Sequence, residues 1–428
     1  MIDTIILKVK AGLDEIKDHR VQSGNFRHTL GDTLMSAFAM FHLKDPSLLV
    51  FRQRLDERWS NMERVYKIRS VPGDTAMRQA LDGVSPGAVS GQFKVVHKVL
   101  EELGLWEGRK VLGGYLAISM DGTQHYCSSK KSCEHCLVRQ KRNGETDYHH
   151  QLLAAVQVHP EQETVFPLEV EPIQQQDGSL KNDCEQNAAK RLIPRIAGSL
   201  PQGTKGLMLL DALYPTGPCL KLLGEHKLSY LATVKDGGPV IIHAAHLAQD
   251  GKLYEHTWTG KGKTCKASYA HGLTHSVTHN EIKVNYLCYE EIDVRSGNTL
   301  YKSAWVTDLD ITPEQLPELV SVARARWKVE NETFNTLKNQ GYQLEHNFGH
   351  GQRYLSSVLA CLMMLAFLTD QVAQHADACF KKALAYCKTR KNLFEKVRQV
   401  FDLLPCMSMN VVYRFIAKEI TLDFPMLE

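Results

Sequence analysis

The sequence lacks the features that identify an exported or membrane-bound protein. Its first 20 residues carry charge from the third position onward, and they contain no apolar segment followed by small residues at a cleavage site. The longest apolar run, over 355–368, is interrupted by serines and is shorter than a bilayer-spanning helix requires. We therefore expect this run to form a buried helix, no membrane partner, and a cytoplasmic location.

A cysteine framework and a large net charge are also missing. The 11 cysteines are scattered and odd in number, which favours reduced thiols in a cytoplasm over a set of disulfides. The 51 Lys and Arg residues nearly balance 48 Asp and Glu residues, giving a formal net charge of +3, so the total charge does not indicate a polyanionic partner.

Two local runs of basic residues are present nevertheless. Residues 381–398 hold seven Lys or Arg against one Glu, and residues 130–142 hold five against one. A single basic run is usually a solvated face, but two in one chain favour a nucleic-acid partner. The candidate DNA contacts of the second run are Lys130, Lys131, Arg139, Lys141 and Arg142.

The order of apolar segments predicts the fold. No Gly-rich phosphate loop follows the first predicted strand, which argues against a dinucleotide-binding fold. Strands are predicted over 112–121, 148–160, 164–173, 205–215 and 228–235, with an amphipathic helix over 181–197 and another helix after the fourth strand. This order predicts an α/β fold with an RNase H-like mixed sheet flanked by helices.

Further segments complete the predicted domain organisation. Short β-rich pieces with turn signals fill 236–306 and predict an insertion into the core, and a long helix is expected from Pro317 to about Gln340. We divide the chain into a helical N-terminal region for DNA binding or dimerisation, the first part of the catalytic core, the β-rich insertion, the second part of the core, and a basic helical C-terminal region, over 1–110, 111–235, 236–306, 307–375 and 376–428.

The N-terminal region contains a candidate helix-turn-helix. A short helix over 75–82 ends at Gly83, and a second begins at Ser85-Pro86 and is expected to continue to about Glu102. Two helices joined by a tight turn are compatible with a DNA-binding pair, but the pattern is weak and favours an ordinary helical packing module.

Two aspartates follow apolar strands. Asp121 follows the run 116–120, and Asp211 follows the run 206–210. A single aspartate in this position commonly caps a turn. Since the first and fourth strands are neighbours in the predicted sheet, however, both carboxylates are expected to leave it at the same end.

A third carboxylate interrupts the apolar stripe of the helix predicted over 317–340. Glu330 continues the stripe between Trp327 and Phe334. A carboxylate on a packed face needs a cationic partner or a metal, and Arg326, one turn earlier, could be that partner. Three converging carboxylates suit Mg²⁺ or Mn²⁺, and a pair of such ions suits phosphodiester chemistry. Asp121, Asp211 and Glu330 are therefore the candidate catalytic and metal-binding residues.

The stretch RARWKVENETFNTLKNQGYQLEHNFGHG, over 324–351, resembles the Glu-bearing helix of the DDE transposases of bacterial insertion sequences. It is most similar to the branch whose signature is Tyr, Arg, Glu and Lys along one helix, and the resemblance covers about residues 112–370. Arg326 and Glu330 stand at the family spacing, whereas Ala323 occupies the Tyr position and Leu337 the Lys position.

The resemblance implies a function. It implies that the three acids hold Mg²⁺, that the enzyme cleaves DNA at the ends of an element and joins it to target DNA, and that basic and aromatic side chains hold the phosphates. Arg326 is the matching basic candidate, and Trp327 is the candidate that replaces the missing Tyr as the aromatic contact. Lys338 is the nearest lysine to the Lys position, although eight helical steps turn it roughly 80° from Glu330. The implied partner is double-stranded DNA, transposon ends and target, bound by a homodimer at a bacterial nucleoid.

Other functions remain to be separated from this one. A DNA-binding protein derived from an inactive transposase, and an RNase H-like nuclease without strand transfer, share most of these features. The sequence MDGT also resembles haloacid-dehalogenase phosphatases, but Ser119 stands where their nucleophilic aspartate is required.

A cysteine cluster directly after the first strand predicts a zinc site. Cys133 and Cys136 have the spacing of a zinc-binding pair, His149 follows downstream, and Cys127 could be the fourth ligand. Ordinary unliganded thiols are the alternative. His346 and His350 flank a Gly-rich turn, and they are expected either to pack the turn or to face the site.

Overall fold

The computed structural model describes residues 1–21, 27–174, 183–235, 237–260 and 262–421. Its N-terminal part is helical, as expected, and Thr29 caps the second helix by accepting a hydrogen bond from the Asp32 N–H. The helix expected over 85–102 is two helices, separated at Gly91-Gln92. The N-terminal helices are α1 (Ile2–Asp14), α2 (Leu30–His42), α3 (Leu48–Gln53), α4 (Leu55–Tyr66), α5 (Asp74–Asp82), α6 (Pro86–Ser90) and α7 (Phe93–Glu102).

The central sheet follows these helices. It begins with β1 (Lys110–Val111), β2 (Tyr115–Ser128), β3 (Leu137–Gln140), β4 (Thr146–Gln157) and β5 (Phe166–Ile173), and it continues with α8 (Glu185–Ser199), β6 (Lys205–Leu210), α9 (Gly217–Glu225) and β7 (Leu228–Thr233). Residues 181 and 182 of the predicted helix lie outside the described residues. Strands β5, β4 and β2 are antiparallel neighbours, and β2, β6 and β7 are parallel neighbours. The order β5-β4-β2-β6-β7 is consistent with an RNase H-like core.

The first and fourth strand predictions were wrong in their lengths. Strand β2 does not end at Asp121 but continues to Ser128, because it stays paired with β4 after its ladder with β6 has ended. The fourth predicted strand is shorter than expected, since β6 ends at Leu210 and Asp211 follows it directly.

The insertion extends the same sheet. It contains α10 (Pro239–Gln249), β8 (Tyr254–Gly260), β9 (Lys263–Thr274), β10 (Lys283–Asp293) and β11 (Thr299–Thr307). Strands β8 to β11 form an antiparallel meander, and β11 pairs with β7 to complete a sheet of 11 strands. The β-rich segment expected over 239–247 is the helix α10: Pro239 fits a first helical turn, and the buried Val240 and Ala244 are four residues apart on one face.

The region after the insertion is helical. The continuous helix expected over 317–340 is instead α11 (Leu316–Arg324), a 3₁₀ turn (Ala325–Trp327), a π-helical segment (Val329–Phe334) and α12 (Asn335–Asn339). The remaining helices are α13 (Leu355–Ala376), α14 (Ala378–Cys387), α15 (Arg390–Leu403) and α16 (Met409–Ile416).

Helix α13 is the core helix of the described part of the chain. Its 22 residues are long and apolar enough to cross a membrane, so the expectation from its sequence that the run is too short was wrong. The apolar window is 100% buried, and α13 packs against α2, α5, α6, α7 and β5. The expected buried helix is therefore confirmed.

Candidate functional site

The two aspartates stand on neighbouring parallel strands. The ladder between β2 and β6 ends with Ser119 opposite Leu209, and each aspartate lies two residues further along its strand. Neighbouring strands are about 4.8 Å apart, so the ladder brings Asp121 and Asp211 to the same edge. Asp211 Oδ1 accepts a hydrogen bond from the Leu213 N–H at 2.7 Å, which closes the turn after β6.

Glu330 reaches this edge from the broken helix. The Ser119 hydroxyl donates to the Arg326 carbonyl at 2.8 Å, which fixes the 3₁₀ turn against β2 two residues before Asp121. The following π-helical segment, in which each turn is wider than an α-helical turn, carries Glu330. Its side chain is 36% exposed, so it lies at the rim of the packed face rather than within the apolar stripe.

The electrostatics of Asp121 report on the surrounding acids. The pKa of Asp121 is raised to about 7, chiefly by burial and further by the nearby carboxylates of Glu330 and Glu185, while the Gly122 N–H and Arg326 oppose the shift. The Gly122 N–H donates to Asp121 Oδ1 at 2.8 Å. A carboxyl group in these surroundings gains from a bound cation, because the cation offsets both the burial and the neighbouring negative charge.

Glu185 is a fourth carboxylate that the sequence did not reveal. It begins α8, and its carboxylate lies over Gly122, where a Cβ atom would collide with it. The Tyr214 hydroxyl donates to Glu185 Oε2 at 3.0 Å. Burial raises the pKa of Glu185, and the charge of Asp211 adds to the shift. An acid in a first helical turn is ordinary, and only Gly122, which leaves space for it, could have been a signal.

Arg326 and Trp327 lie beside Glu330. Arg326 Nη1 is 3.0 Å from Glu330 Oε1, and the guanidinium carbon is 5.0 Å from the Trp327 ring centre. Trp327 is 52% exposed, so its expected place in the apolar stripe was wrong: the 3₁₀ turn rotates it outward. Lys338 forms an ion pair with Glu345 at 2.8 Å.

The basic residues of 130–142 lie on the β2–β3 connection, on β3 and on the turn that follows it, and these parts together form the basic hairpin. Lys141 and Arg139 pair with Asp147 at 2.9 and 3.3 Å, so part of their charge is neutralised within the strand pair. The side chains of Lys130 and Lys131 are exposed, and their backbone N–H groups donate to the Ser128 hydroxyl at 3.1 and 3.0 Å. Arg142 is exposed at the tip.

A second polar cluster lies further along β2. Cys133, Cys136, His150 and His350 direct one sulfur or nitrogen each to a common point, and the four atoms lie within 4.8 Å of one another. Cys136, His150 and His350 are buried, with exposures of 2%, 2% and 7%. This Cys/His cluster could hold a metal ion.

The expected ligands Cys127 and His149 are not in the cluster. Residues of a strand alternate between its two faces, and His149 immediately precedes His150 on β4. The register pairs Cys127 with His149 and Tyr126 with His150. Cys127 and His149 therefore share the opposite face of the sheet, which corrects the predicted ligand set.

Comparison with known proteins adds little. No family model and no curated protein matches the chain. One solved structure with a similar chain is a cryo-EM structure of the piggyBac transposase synaptic complex with hairpin DNA, at 12% identity and a TM-score of 0.41, over 100% of this chain and 80% of that one. At these values the two chains are too dissimilar for the fold or function of one to be inferred from the other.

Proposed function

We propose that this protein is a DDE transposase of a bacterial insertion sequence that cleaves DNA at element ends and joins it to target DNA. The observation that carries the proposal is the contact of the Glu330-bearing segment with β2, where the Ser119 hydroxyl donates to the Arg326 carbonyl two residues before Asp121, beside a parallel strand that leads to Asp211. Metal-dependent phosphodiester chemistry requires carboxylates from separate elements to converge in this way.

Asp121, Asp211 and Glu330 would hold Mg²⁺ or Mn²⁺, with Glu185 at the same edge. The raised pKa of Asp121 and the oxygen-only donors fit such an ion. When bound, the metal supplies a Lewis acid that activates water or a 3′-hydroxyl and stabilises the leaving oxygen. The roles of the surrounding side chains follow from their chemistry.

Arg326 would orient the DNA. Its guanidinium lies between Glu330 and the exposed Trp327 ring, so it can turn toward a phosphate while its carboxylate partner binds cation. Trp327 offers an exposed aromatic face to an unpaired base. We further propose that Lys130, Lys131, Arg139, Lys141, Arg142 and Lys338 contact the backbone, that a homodimer forms on DNA, and that the protein acts at the nucleoid in the cytoplasm.

The test uses DNA that carries the sequences flanking both sides of the coding region, where element ends would lie. With Mg²⁺ or Mn²⁺ the wild-type protein should release 3′-hydroxyl ends and yield joined products. Glu330→Gln should reduce cleavage at least about a thousandfold, equivalent to about 4 kcal/mol of transition-state stabilisation. Glu332→Gln, on the same π-helical segment, is the matched control and should cleave normally.

The outcomes separate the alternatives. Cleavage without joined products would indicate a nuclease. DNA binding without cleavage, by folded wild-type protein in either metal, would indicate a non-catalytic DNA-binding protein and would overturn the proposal.

A further inference from the structure

We propose that Cys133, Cys136, His150 and His350 bind one structural Zn²⁺ ion, and that this ion joins the basic hairpin to the turn that precedes α13. The inference concerns the Cys/His cluster alone and does not depend on the proposed DNA chemistry. The four ligands come from three separate parts of the chain: the β2–β3 connection, strand β4, and a turn 200 positions after His150.

Five of the six distances between the ligand atoms match the edges of a tetrahedron around zinc, and all four atoms lie within 4.8 Å of one another. With Zn–S near 2.3 Å and Zn–N near 2.05 Å, the edges should be about 3.8 Å for S–S, about 3.4 Å for N–N and about 3.5 Å for S–N. The two sulfurs are 3.7 Å apart and the two His Nε2 atoms 3.3 Å apart. The S–N distances are 3.5 Å from Cys133 to His150, 3.4 Å from Cys136 to His150, and 3.2 Å from Cys136 to His350.

A disulfide or a purely hydrogen-bonded cluster fits this geometry less well. A disulfide needs sulfurs about 2.05 Å apart, and the observed separation is 3.7 Å. In a cluster held by hydrogen bonds alone, each close pair of atoms would need a proton between them. The four atoms carry few protons, and two of the atoms are imidazole nitrogens that face each other. A cation at the centre would accept an electron pair from each of the four ligand atoms.

The donor set selects the metal and its role. Two thiolates and two neutral imidazoles are preferred by zinc over Mg²⁺ or Ca²⁺, which take oxygen ligands. Four protein ligands close the coordination sphere, and three of them are buried, so no position is left for water or substrate. A zinc ion bound at this site would therefore be structural and not catalytic.

Aromatic side chains enclose the cluster. The Tyr126 ring centre is 4.6 Å from that of His350, and His135 stacks on Tyr354 at 4.6 Å. Both contacts join the β2–β3 side of the cluster to the turn before α13. The Tyr126 contact restrains the His350 ring beside β2.

The turn that carries His350 is itself anchored to the N-terminal region. The Asp82 carboxylate accepts hydrogen bonds from the N–H groups of residues 352–355 at 2.9 to 3.1 Å. Gly351, at φ +73°, permits the bend, and a side chain there would collide with Asp82. A zinc ion bound to His350 would hold Lys130 and Lys131 near the end of α5, where both already line one groove with Arg78 and Asp82.

Metal analysis provides the primary test. Protein purified without chelators should contain one zinc per chain, and Co²⁺ exchanged into it should give the visible absorption of a tetrahedral thiolate complex. Absence of zinc from folded wild-type protein, together with failure of added Zn²⁺ or Co²⁺ to bind stoichiometrically, would overturn the proposal. This measurement requires no variant.

Variants then distinguish this ligand set from the one predicted from the sequence. Cys136→Ser and His350→Gln should reduce zinc content at least about tenfold, whereas the controls Cys127→Ser and His149→Gln should retain one zinc per chain. Loss of zinc in the two controls but not in the two test variants would show that the proposed ligand set is wrong, and it would overturn the proposal.

Limited trypsin digestion tests what the ion joins. Cleavage after Lys130 and Lys131 should be slow in the zinc-loaded protein and at least about tenfold faster after removal of zinc, with the rate restored by Zn²⁺ but not by Mg²⁺. An unchanged rate after verified zinc removal would contradict the proposed link between the hairpin and the turn.

Discussion

The carboxylate site and the Cys/His cluster border the same strand but differ in kind. At the carboxylate site, Asp121 and Glu330 are only partly buried and their chain positions were predicted from the sequence. In the Cys/His cluster three of four ligands are buried, and two of the four were not predicted. The difference suggests an open site for exchanging ions and substrate and a closed one for a permanent ion. Four predictions test this contrast.

Removal of the two kinds of metal should have opposite effects on stability and activity. A zinc-selective chelator should lower the melting temperature by about 10 °C, because a structural zinc contributes several kcal/mol to folding. Omission of Mg²⁺ should change the melting temperature little but abolish DNA cleavage. Differential scanning fluorimetry and a cleavage assay on one preparation make the comparison, and a Cys133→Ser, Cys136→Ser double variant should not respond to the zinc chelator. A melting temperature that does not change on zinc removal would contradict a structural role for the ion in the Cys/His cluster.

Arg326 should matter more for chemistry than for folding. Arg326→Ala should reduce cleavage about a hundredfold, or about 2.7 kcal/mol, with near-native melting in Mg²⁺, and Arg326→Lys should restore little because Lys lacks the bidentate geometry. The competing role is a purely structural partner of Glu330, 3.0 Å away. In that case melting would fall markedly while cleavage per folded molecule stayed constant.

Asp121 should destabilise the metal-free protein at high pH. The pKa of Asp121 is about 7 in the folded state and 3.8 in the unfolded state. The favourable contribution of the protonated carboxyl to the free energy of unfolding is therefore complete below about pH 4, and it is lost as the pH rises through about 7. Asp121→Asn should therefore stabilise the metal-free protein at pH 8 by about 1–2 kcal/mol, allowing for partial exposure, and much less at pH 4. Urea unfolding at the two pH values measures this, and Mg²⁺ should stabilise only the wild type. Equal effects at both pH values would remove the link to titration.

The smallest effect is expected at Tyr214. Tyr214→Phe removes the hydrogen bond to Glu185 at 3.0 Å and should cost about 1 kcal/mol. If Glu185 belongs to the carboxylate site, the Mg²⁺ concentration that gives half-maximal cleavage should also rise a few-fold, whereas Tyr230→Phe should leave it unchanged. A metal requirement that stays constant in Tyr214→Phe would limit Glu185 to a structural role.

The sheet was largely predictable because it depends on local pattern. Apolar segments of strand length define β2, β4, β5, β6 and β7, with a helix before and after β6, and their order is consistent with that of the observed core. Their ends were less predictable. Strand β2 continues past Asp121 because β4 supplies hydrogen-bonding partners there, and pairing between distant strands leaves no local signature.

Local sequence context was sufficient to identify the three candidate acids and the Cys133-Cys136 pair, because each is marked by its neighbours: an apolar run before each aspartate, a helical stripe around Glu330, and a two-residue spacer between the cysteines. Tertiary structure alone decided the rest. It turned Trp327 outward through a 3₁₀ turn, placed Glu185 over Gly122, and chose His150 and His350 over His149 and Cys127. The physical reason is that the register between paired strands and the packing of distant segments select which side chains converge, and neither is encoded in the spacing of residues along the chain.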